Sequence, residues 1–393
     1  MKKQIIRGKV LSNLSAVFII LVVLCSSSIS LFSFHPQSFY KDQVAILIYH
    51  NISDSAKSNI TITTDLFSKQ LTKLKKEGYH FITVSDFKTF MAGGPVVDNA
   101  VLVTFDDGYK SFYQEAFPIM ELMHIPAINF VITKNMDDSD NNPVPFLSRQ
   151  DIAEMKQKDP AFAFQCHSDS LHSKQNDGGF LLTSFIKQTG KVESEADYKS
   201  RIINDTETCI NKLQAISSDP IDLYTYPFGA YHKEAADLIH QGGIGYAFTI
   251  VNGLANRQDN PMFLPRINAG SPTISPDNLD QLIKRRVVDL QKKFDYVPVR
   301  DGVEQIGGTI LQDSKKQISL YYNGHHYIVD LKALTVSENG HIVPLQKPLK
   351  RIGLKRTLSI GLDDLTKMMD AHIVYDPITQ KFFDRTWSMA ASE

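Results

Sequence analysis

The sequence is poor in cysteine and carries almost no net charge. Its 393 residues include three cysteines, and 42 lysines and arginines are balanced by 43 aspartates and glutamates. Cys25, Cys166 and Cys209 stand at unrelated spacings, which excludes a disulfide-scaffold protein and a cysteine-based zinc site. The balanced charge excludes the basic surface that nucleic-acid binding requires, so no nucleic-acid partner is expected. Repeats and low-complexity tracts are also lacking. What remains is a globular chain long enough for two domains.

The few cysteines still require an interpretation. Cys166 and Cys209 could pair in an oxidising compartment, but we expect two buried thiols. Cys25 follows Leu24, where a lipoprotein signal would carry a small residue, so lipidation is not expected.

Long hydrophobic runs are confined to the N-terminus. Lys2, Lys3, Arg7 and Lys9 precede an apolar run over residues 14–25, which is followed by three serines. A basic region, an apolar stretch of this length and small residues after it are typical of a secretory signal. If it is not cleaved, the stretch up to residue 34 is long enough to act as a membrane anchor. Residues 1–34 are therefore predicted to be a signal peptide or anchor, and the rest is expected outside the cytoplasm, secreted or held at the outer face of the membrane.

Short apolar strands alternate with amphipathic helices from residue 44 to about residue 294. VAILIYH, FITV, AVLVTF, AINFVIT, AFAFQC, DLYTY and YAFTIV are strand-like, and helical stretches stand between them. This alternation predicts parallel βα units. About seven units in fewer than ~270 residues favour a distorted (β/α) barrel over an open sheet, as an α/β domain over residues 35–300.

The pattern changes near residue 302. QISLYY and HHYIVD flank an Asn-Gly pair, which predicts a β-hairpin, and a second Asn-Gly follows at Asn339. Helical residues near Leu362 and a final strand AHIVYD complete a small α+β domain over residues 301–393.

Polar side chains recur where the predicted barrel strands end. His50 ends the first strand, Asp106 and Asp107 follow AVLVTF, and His167 follows AFAFQC. Pro-Phe-Gly at 227–229 follows DLYTY, and Arg266 lies in a last short strand, LPRIN. Because the carboxyl ends of barrel strands share one face, these residues are predicted to form the site.

HSDSLH at 167–172 is the second half of this constellation. Taken alone, a histidine pair in a polar loop, like an Asp-Asp-Gly turn, is an ordinary surface feature. Two histidines and one carboxylate on the same barrel face are instead a common zinc ligand set that leaves room for water. The five-residue spacing does not place both rings on one helix face, so a loop must turn both inward.

These motifs resemble the polysaccharide deacetylases of carbohydrate esterase family 4, which share the NodB homology domain. TFDDG at 104–108 and HSDSLH at 167–172 match that family's first two motifs, and TYPFG at 225–229 aligns with the third. The opening YHNI and the late LPRIN further resemble the branch that deacetylates poly-β-1,6-N-acetylglucosamine. The C-terminal domain resembles the copper amine oxidase N-terminal-type module, a non-catalytic module of bacterial surface proteins that we expect to contact the cell surface or another protein.

The resemblance implies a metal-dependent N-deacetylase. Asp107, His167 and His172 would bind a divalent ion, zinc being expected before nickel or cobalt. Asp106 would be the general base, and the N–H of Phe228 would hold the oxyanion. A divalent ion lowers the pKa of bound water toward ~7, and a neighbouring carboxylate can then take its proton. The candidate residues are Asp106, His50 and Arg266 for catalysis, Asp107, His167 and His172 for the metal, and Phe228, Tyr226 and Pro227 for the substrate or oxyanion.

Two departures from the family pattern remain. Thr225 stands where the family has the arginine that orients the base, and Arg266 is the predicted substitute. No histidine lies between His240 and His325 to serve as the family's late general acid, so His50 is the candidate for that role, while His232 is expected to lie at the surface at a helix start.

Three functions stay open at this point. The first is hydrolysis of the N-acetyl group in an extracellular poly-β-1,6-GlcNAc polymer, with release of acetate. The second keeps the chemistry but takes peptidoglycan as substrate. The third is a glycan-binding surface protein on a catalytically weak scaffold.

Overall fold

The computed structural model describes residues 38–188, 190–287, 295–322, 324–353, 356–371, 373–376 and 381–384. All of them fall within one of the two compact units of the chain, Ser38–Glu393. The predicted signal or anchor over residues 1–34 lies outside the described residues. Among the described residues, no helix combines the length and apolar character needed to span a bilayer.

Among the described residues, twelve strands precede the C-terminal part. They are β1 (Val44–Tyr49), β2 (Asn51–Ile52), β3 (Thr61–Ile62), β4 (His80–Phe81), β5 (Ala100–Phe105), β6 (Ala127–Val131), β7 (Ala163–Cys166), β8 (Lys187–Gln188), β9 (Lys191–Val192), β10 (Leu223–Thr225), β11 (Tyr246–Asn252) and β12 (Leu264–Asn268). Seven of these form a closed parallel barrel in the order β1-β12-β11-β10-β7-β6-β5, with β5 pairing back to β1. The distorted (β/α) barrel predicted from the sequence is confirmed.

The barrel strands are apolar runs because one face of each strand packs inside the barrel and the other packs under the helices. Strands β1 and β5 are buried along their whole length. Alternate residues such as Ile46 and Leu102 belong to the apolar cluster inside the barrel, and Leu47 and Val103 belong to the outer cluster under the helices. A period of two along each strand therefore decides which side chains reach the barrel interior.

Seven α-helices surround these strands in the part of the chain that the structure describes. They are α1 (Thr64–Lys76), α2 (Val84–Met91), α3 (Phe117–Leu122), α4 (Arg149–Lys158), α5 (Glu195–Gln214), α6 (Lys233–Gln241) and α7 (Pro276–Arg285). Thr63, Thr83 and Ser148 are the N-caps of α1, α2 and α4. The last of these seven helices ends at Arg285.

A disulfide joins Cys166 at the end of β7 to Cys209 in α5, with the two Cα atoms 6.0 Å apart. The expectation of two buried thiols is therefore wrong. The cysteines are 43 residues apart in sequence, and they meet because α5 lies on the outer face of β7.

The C-terminal part has its own apolar core. Its elements are β13 (Val297–Pro298), α8 (Val299–Glu304), β14 (Thr309–Ser314), β15 (Gln317–Tyr322), β16 (His325–Asp330), β17 (Thr335–Glu338), β18 (His341–Ile342), β19 (Lys350–Ile352), β20 (Thr357–Ile360), α9 (Leu362–Met368), β21 (Ile373–Asp376) and β22 (Lys381–Asp384). The predicted hairpin is the antiparallel pair β15–β16 within a five-stranded sheet. The domain boundaries and the likeness to a copper amine oxidase module stay predictions.

Candidate metal centre and active site

Strands β1 and β5 end at the same level, which brings their following residues together. They pair in register from Val44 with Ala100 to Tyr49 with Phe105. The Asp106 N–H then donates to Tyr49 O at 2.9 Å, one step beyond the strands. His50 and the two aspartates therefore lie at the same rim of the barrel, as the sequence predicts.

The two adjacent aspartates point in different directions. Thr104 and Asp106 follow the inward alternation of β5, and both contact the buried Arg266 side chain. Asp107 leaves the strand with φ 74, a left-handed conformation that is uncommon for a non-glycine residue. This turn takes its carboxylate away from that of Asp106 and toward the histidines.

The glycine of TFDDG is required by the same turn. Gly108 has φ 77, and a Cβ placed on it would come within 3.1 Å of the Val131 side chain and 3.3 Å of its Cα. Any other residue would therefore meet both backbone strain and close contact with β6.

Asp107, His167 and His172 form one cluster of metal-binding atoms, all within 4.8 Å of one another. Asp107 Oδ1 lies 3.2 Å from His167 Nε2 and 3.4 Å from His172 Nε2. Asp107 and His167 are buried, and His172 is partly exposed. One carboxylate and two imidazole nitrogens suit zinc, with an open position on the exposed side.

The backbone fixes which nitrogen of His167 faces the cluster. His167 Nδ1 lies 2.8 Å from the Thr225 carbonyl oxygen and 2.5 Å from Thr225 Oγ1. A carbonyl oxygen only accepts, so Nδ1 carries the proton and Nε2 keeps its lone pair for a metal. The three residues therefore fit a divalent ion.

His172 is held by an aromatic contact. Its ring stacks on Phe228 with centroids 4.1 Å apart, and Phe180 lies 5.1 Å beyond Phe228. The ammonium group of Lys174 sits over both phenyl rings, at 5.0 and 5.3 Å from their centroids. The loop after His172 thus covers one side of the cluster with apolar and cationic groups.

Asp106 and Arg266 form a buried, bidentate ion pair. Arg266 Nη1 donates to Asp106 Oδ1 at 2.8 Å, and Nη2 donates to Oδ2 at 2.7 Å. Arg266 also donates from Nε to Thr249 O and from Nη1 to Thr104 Oγ1. The guanidinium predicted to replace the missing motif-three arginine is in contact with the candidate base, while its role in catalysis stays a prediction.

The charges in the site set the protonation of its carboxylates. Burial raises the pKa of Asp106, but the charge and hydrogen bonds of Arg266 outweigh it, so that this pKa is lowered. For Asp107, burial is likewise outweighed by the His167 hydrogen bond and the neighbouring histidine charges, and the pKa falls well below its usual range. Both aspartates are therefore ionised at neutral pH.

The two histidines shift in opposite directions. Burial lowers the pKa of His167, but its hydrogen bond to Asp107 and the two aspartate charges raise it overall. Burial and the charge of His167 lower the pKa of His172 to about 4, so His172 is neutral at pH 7.

His50 lies within electrostatic reach of both aspartates. Its charge contributes to the lowered pKa of Asp106 and of Asp107. Its Nδ1 is buried and has no hydrogen-bond partner among the described residues. A buried imidazole nitrogen without a partner at this rim leaves one polar atom available to a substrate or a water molecule.

The Pro227–Gly229 segment turns the chain at the rim. Phe228 has φ 58, and Gly229 has φ 67, where a Cβ would lie 2.5 Å from Ile250. The N–H groups of Gly229 and Ala230 close the turn on Tyr226 O and Pro227 O. The N–H of Phe228 precedes these bonds in the turn, and its role toward an oxyanion stays a prediction.

Tyr226 does not present its side chain to a substrate. The side chain is 1% exposed, and its hydroxyl donates to Met262 O at 2.7 Å. Its predicted substrate contact is therefore corrected to a packing role beneath the turn. Pro227 is buried as well. His232, expected at a surface helix start, is the partly buried N-cap of α6 and accepts from Ala235 N.

A cavity of about 380 Å³ opens beside the metal cluster, lined by Asp107, His172, Tyr109 and Phe146 among others. Tyr109 stacks on Phe146 with centroids 5.2 Å apart. Burial raises the pKa of Tyr109, and the Asp107 charge and hydrogen bond raise it further. The cavity thus gives a ligand access to the candidate metal position.

Sequence reasoning missed two contributors. Thr225 was recognised only as a departure from the family motif, although it holds His167. Tyr109 was not singled out, although it directly follows TFDDG and contacts Asp107. For both residues, a position in or directly beside a motif was the sequence feature that could have indicated a role in the site.

Comparisons with known proteins agree with this geometry. Residues 93–247 match the family model for polysaccharide deacetylase. The poly-beta-1,6-N-acetyl-D-glucosamine N-deacetylase of Staphylococcus aureus strain MSSA476 is 26% identical over 243 residues, which cover 61% of this chain and 76% of that protein. The chain contains a polysaccharide deacetylase domain.

Solved structures support the deacetylase fold. A de-N-acetylase from Aggregatibacter actinomycetemcomitans superposes with a TM-score of 0.56 at 20% identity, covering 62% of this chain and all (100%) of that one. IcaB from Ammonifex degensii superposes with a TM-score of 0.52 at 24% identity, and the match covers 61% of this chain and 95% of that one. His50 and Arg266 both lie outside the segment 93–247 that the family model matches.

Replacing His167 or His172 by alanine should abolish stoichiometric metal binding and activity in this deacetylase. In the predicted site each histidine would supply one of three protein ligands. Metal content after dialysis, measured by plasma mass spectrometry alongside circular dichroism, checks this. His341→Ala, an exposed histidine of the C-terminal sheet, is the control. A folded His167 or His172 variant that kept one equivalent of metal would contradict the ligand assignment.

Replacing Arg266 by methionine should move the acidic limb of the pH–rate profile to higher pH. Among the groups that lower the pKa of Asp106 against the effect of burial, Arg266 contributes most, so its removal raises that pKa. Breaking a buried pair also costs about 3–5 kcal/mol of stability. Arg266→Lys keeps the charge and should shift the limb less. An unmoved limb in a folded Arg266→Met variant would show that Asp106 is not the group that titrates there.

Proposed function

We propose that this protein hydrolyses the N-acetyl groups of N-acetylglucosamine units in an extracellular poly-β-1,6-GlcNAc-type polysaccharide and releases acetate. The observation that carries the proposal is the arrangement of two aspartates with separate partners. Asp106 is paired with Arg266, and Asp107 faces two histidines. The substrate class rests on the similarity to the Staphylococcus aureus enzyme.

We infer that the activity depends on a divalent metal held by Asp107, His167 and His172. The mixed oxygen and nitrogen donors favour zinc, and nickel and cobalt are compatible with the same ligands. When bound, such an ion would lower the pKa of water and polarise the acetamide carbonyl.

The protein's own groups then complete the reaction. Asp106 accepts the proton of the attacking water, and the paired hydrogen bonds of Arg266 fix the carboxylate while keeping it ionised. The N–H of Phe228 stabilises the negative charge that develops on the carbonyl oxygen. His50 gives a proton to the departing amine.

Asp106→Asn should keep the metal and lose turnover by roughly 10²–10⁴. The amide is nearly isosteric with the carboxylate and cannot accept a proton, while Asp107 and both histidines are untouched. Metal content and kcat for acetate release are measured on the same preparation. Full activity would place the base elsewhere, and loss of metal would make Asp106 a ligand.

His50→Ala should lower kcat and flatten the alkaline limb of the pH–rate profile, because a proton donor is lost there. Asp106→Asn, in contrast, removes the group that governs the acidic limb, so it is the matched comparison. An alkaline limb unchanged from the wild type would remove His50 from the acid role.

The location is inferred from two features. The N-terminal sequence is typical of a secretory signal, and a disulfide is stable in an oxidising compartment. We propose that the protein is secreted or anchored at the outer face of the membrane and reaches its polymer there, with the C-terminal part contacting the cell surface or another protein. Thiol labelling of Cys166 and Cys209 in fractionated cells tests this, since reduced cysteines in the cytoplasmic fraction would contradict it.

Acetate release from defined poly-β-1,6-GlcNAc oligomers and from peptidoglycan, measured side by side, tests the proposed substrate. Faster release from the β-1,6 oligomers is expected. Preference for peptidoglycan would keep the chemistry and change the polymer. Absence of both activities in metal-loaded protein would favour the glycan-binding alternative.

A further inference from the structure

We propose that helix α5 holds the loop between the two metal-binding histidines in its binding conformation, and that Asp205 is the positioning residue. The inference rests on the metal centre given under Proposed function. Asp205 touches neither the metal ligands' side chains nor the substrate cavity in this structure, so it would act through the backbone of the loop.

The loop needs such support because it is short and its backbone is strained. Four residues separate His167 from His172, and the first of them, Ser168, has φ 76. A non-glycine residue in the left-handed region is strained and persists only where its surroundings hold it. Any relaxation of this turn would move both imidazole rings relative to Asp107.

Asp205 supplies the hydrogen bonds that oppose this relaxation. Its Oδ1 accepts from Asp169 N at 2.9 Å, and its Oδ2 accepts from Ser170 N at 2.7 Å and Ser170 Oγ at 2.9 Å. The residue is 7% exposed, so water competes little for these bonds. Backbone amides that donate to a shielded carboxylate are held more firmly than amides that donate to a neutral acceptor.

Two further residues on the same face of α5 attach the loop at other points. Cys209 is four residues after Asp205 and forms the disulfide with Cys166, the residue directly before His167. Lys212 is seven residues after Asp205, and its Nζ lies 2.8 Å from Asp169 Oδ1. Positions i, i+4 and i+7 share one helix face, so a single rigid element holds the start and the middle of the loop.

The opposite side of the loop is fixed as well. Thr133 N donates to Ser168 O at 3.1 Å, and Thr133 Oγ1 donates to Asp169 Oδ1 at 2.7 Å. Lys134 N donates to Asp169 O at 3.2 Å. These bonds are accepted by the carbonyl groups of Ser168 and Asp169 and by the Asp169 side chain. Asp205, in contrast, accepts hydrogen bonds from the backbone N–H groups of Asp169 and Ser170. Loss of Asp205 would therefore leave those two amides without their acceptor.

The test compares zinc affinity in Asp205→Ala, Asp205→Asn and the control Glu207→Gln, an exposed acidic residue of the same helix. Affinity is measured on full-length protein by competition with a chromophoric chelator, below the unfolding temperature of each apo variant. Loss of a group that orients metal ligands typically weakens binding about 10- to 100-fold. We expect this for Asp205→Ala. Asparagine retains one acceptor oxygen in place of two, so the zinc affinity of Asp205→Asn should lie between those of Asp205→Ala and the wild type.

Hydrogen exchange separates positioning from general destabilisation. Amide exchange of Asp169 and Ser170 should accelerate in the Asp205 variants while the amides of the barrel strands keep their protection. A folded Asp205→Asn variant with wild-type zinc affinity would overturn the inference. So would failure of both Asp205 variants to fold, because Asp205 would then serve the fold rather than the site.

The same measurements keep this inference separate from the proposed function. If the wild type binds no zinc, the metal centre itself is wrong. If the wild type binds zinc and releases acetate, and the Asp205 variants match its affinity, only the role of α5 fails.

Discussion

The buried ion pair between Asp106 and Arg266 is the interaction on which the site depends. A carboxylate enclosed in a barrel is tolerated only with a partner that neutralises it and satisfies its oxygens, and Arg266 does both with two hydrogen bonds. The same guanidinium donates to Thr249 O and Thr104 Oγ1, so it joins β5, β11 and β12 across the barrel interior. Breaking the pair would therefore disturb both the candidate base and the packing of three strands.

The left-handed turn at Asp107 gives the second of two neighbouring carboxylates its own partners. If Asp107 followed the strand alternation, its side chain would point to the outer face that Val103 and Phe105 share, where a buried charge would lack a partner. Strand alternation directs Asp106 to the guanidinium, and the φ of 74 at Asp107 directs that residue to the histidines. Left-handed residues recur at Ser168 and Phe228, beside the other predicted metal and oxyanion groups. At these three positions functional groups leave the regular geometry of the strands, and the rigid barrel sustains the backbone strain.

The sequence predicted the features that depend on local pattern. The alternation of apolar strands with helices indicated about seven parallel βα units, and His50, Asp106 and His167 at the strand ends indicated one face. What it did not predict depends on which elements lie next to one another in space. Cys166 and Cys209 are 43 residues apart, and only the position of α5 over β7 brings them together. The contact of Thr225 with His167 depends on the pairing of β10 with β7. Tyr226 was misjudged because a motif gives its neighbourhood and not the direction of its side chain.

The exchange of functions between strands follows from the closed barrel. At the position where the resembling family has an arginine, this chain has Thr225, which holds His167 through its carbonyl and hydroxyl oxygens. The guanidinium reaches Asp106 from β12 instead, from the side of the barrel where β12 pairs with β1. Every strand of a closed barrel can direct an inward side chain toward the same central carboxylate, so the partner of Asp106 need not come from one particular strand. A threonine where an arginine is expected therefore does not remove the cation from the site. Thr225 instead fixes the tautomer of His167, a predicted metal ligand, so β10 serves the candidate metal site while β12 serves the candidate base.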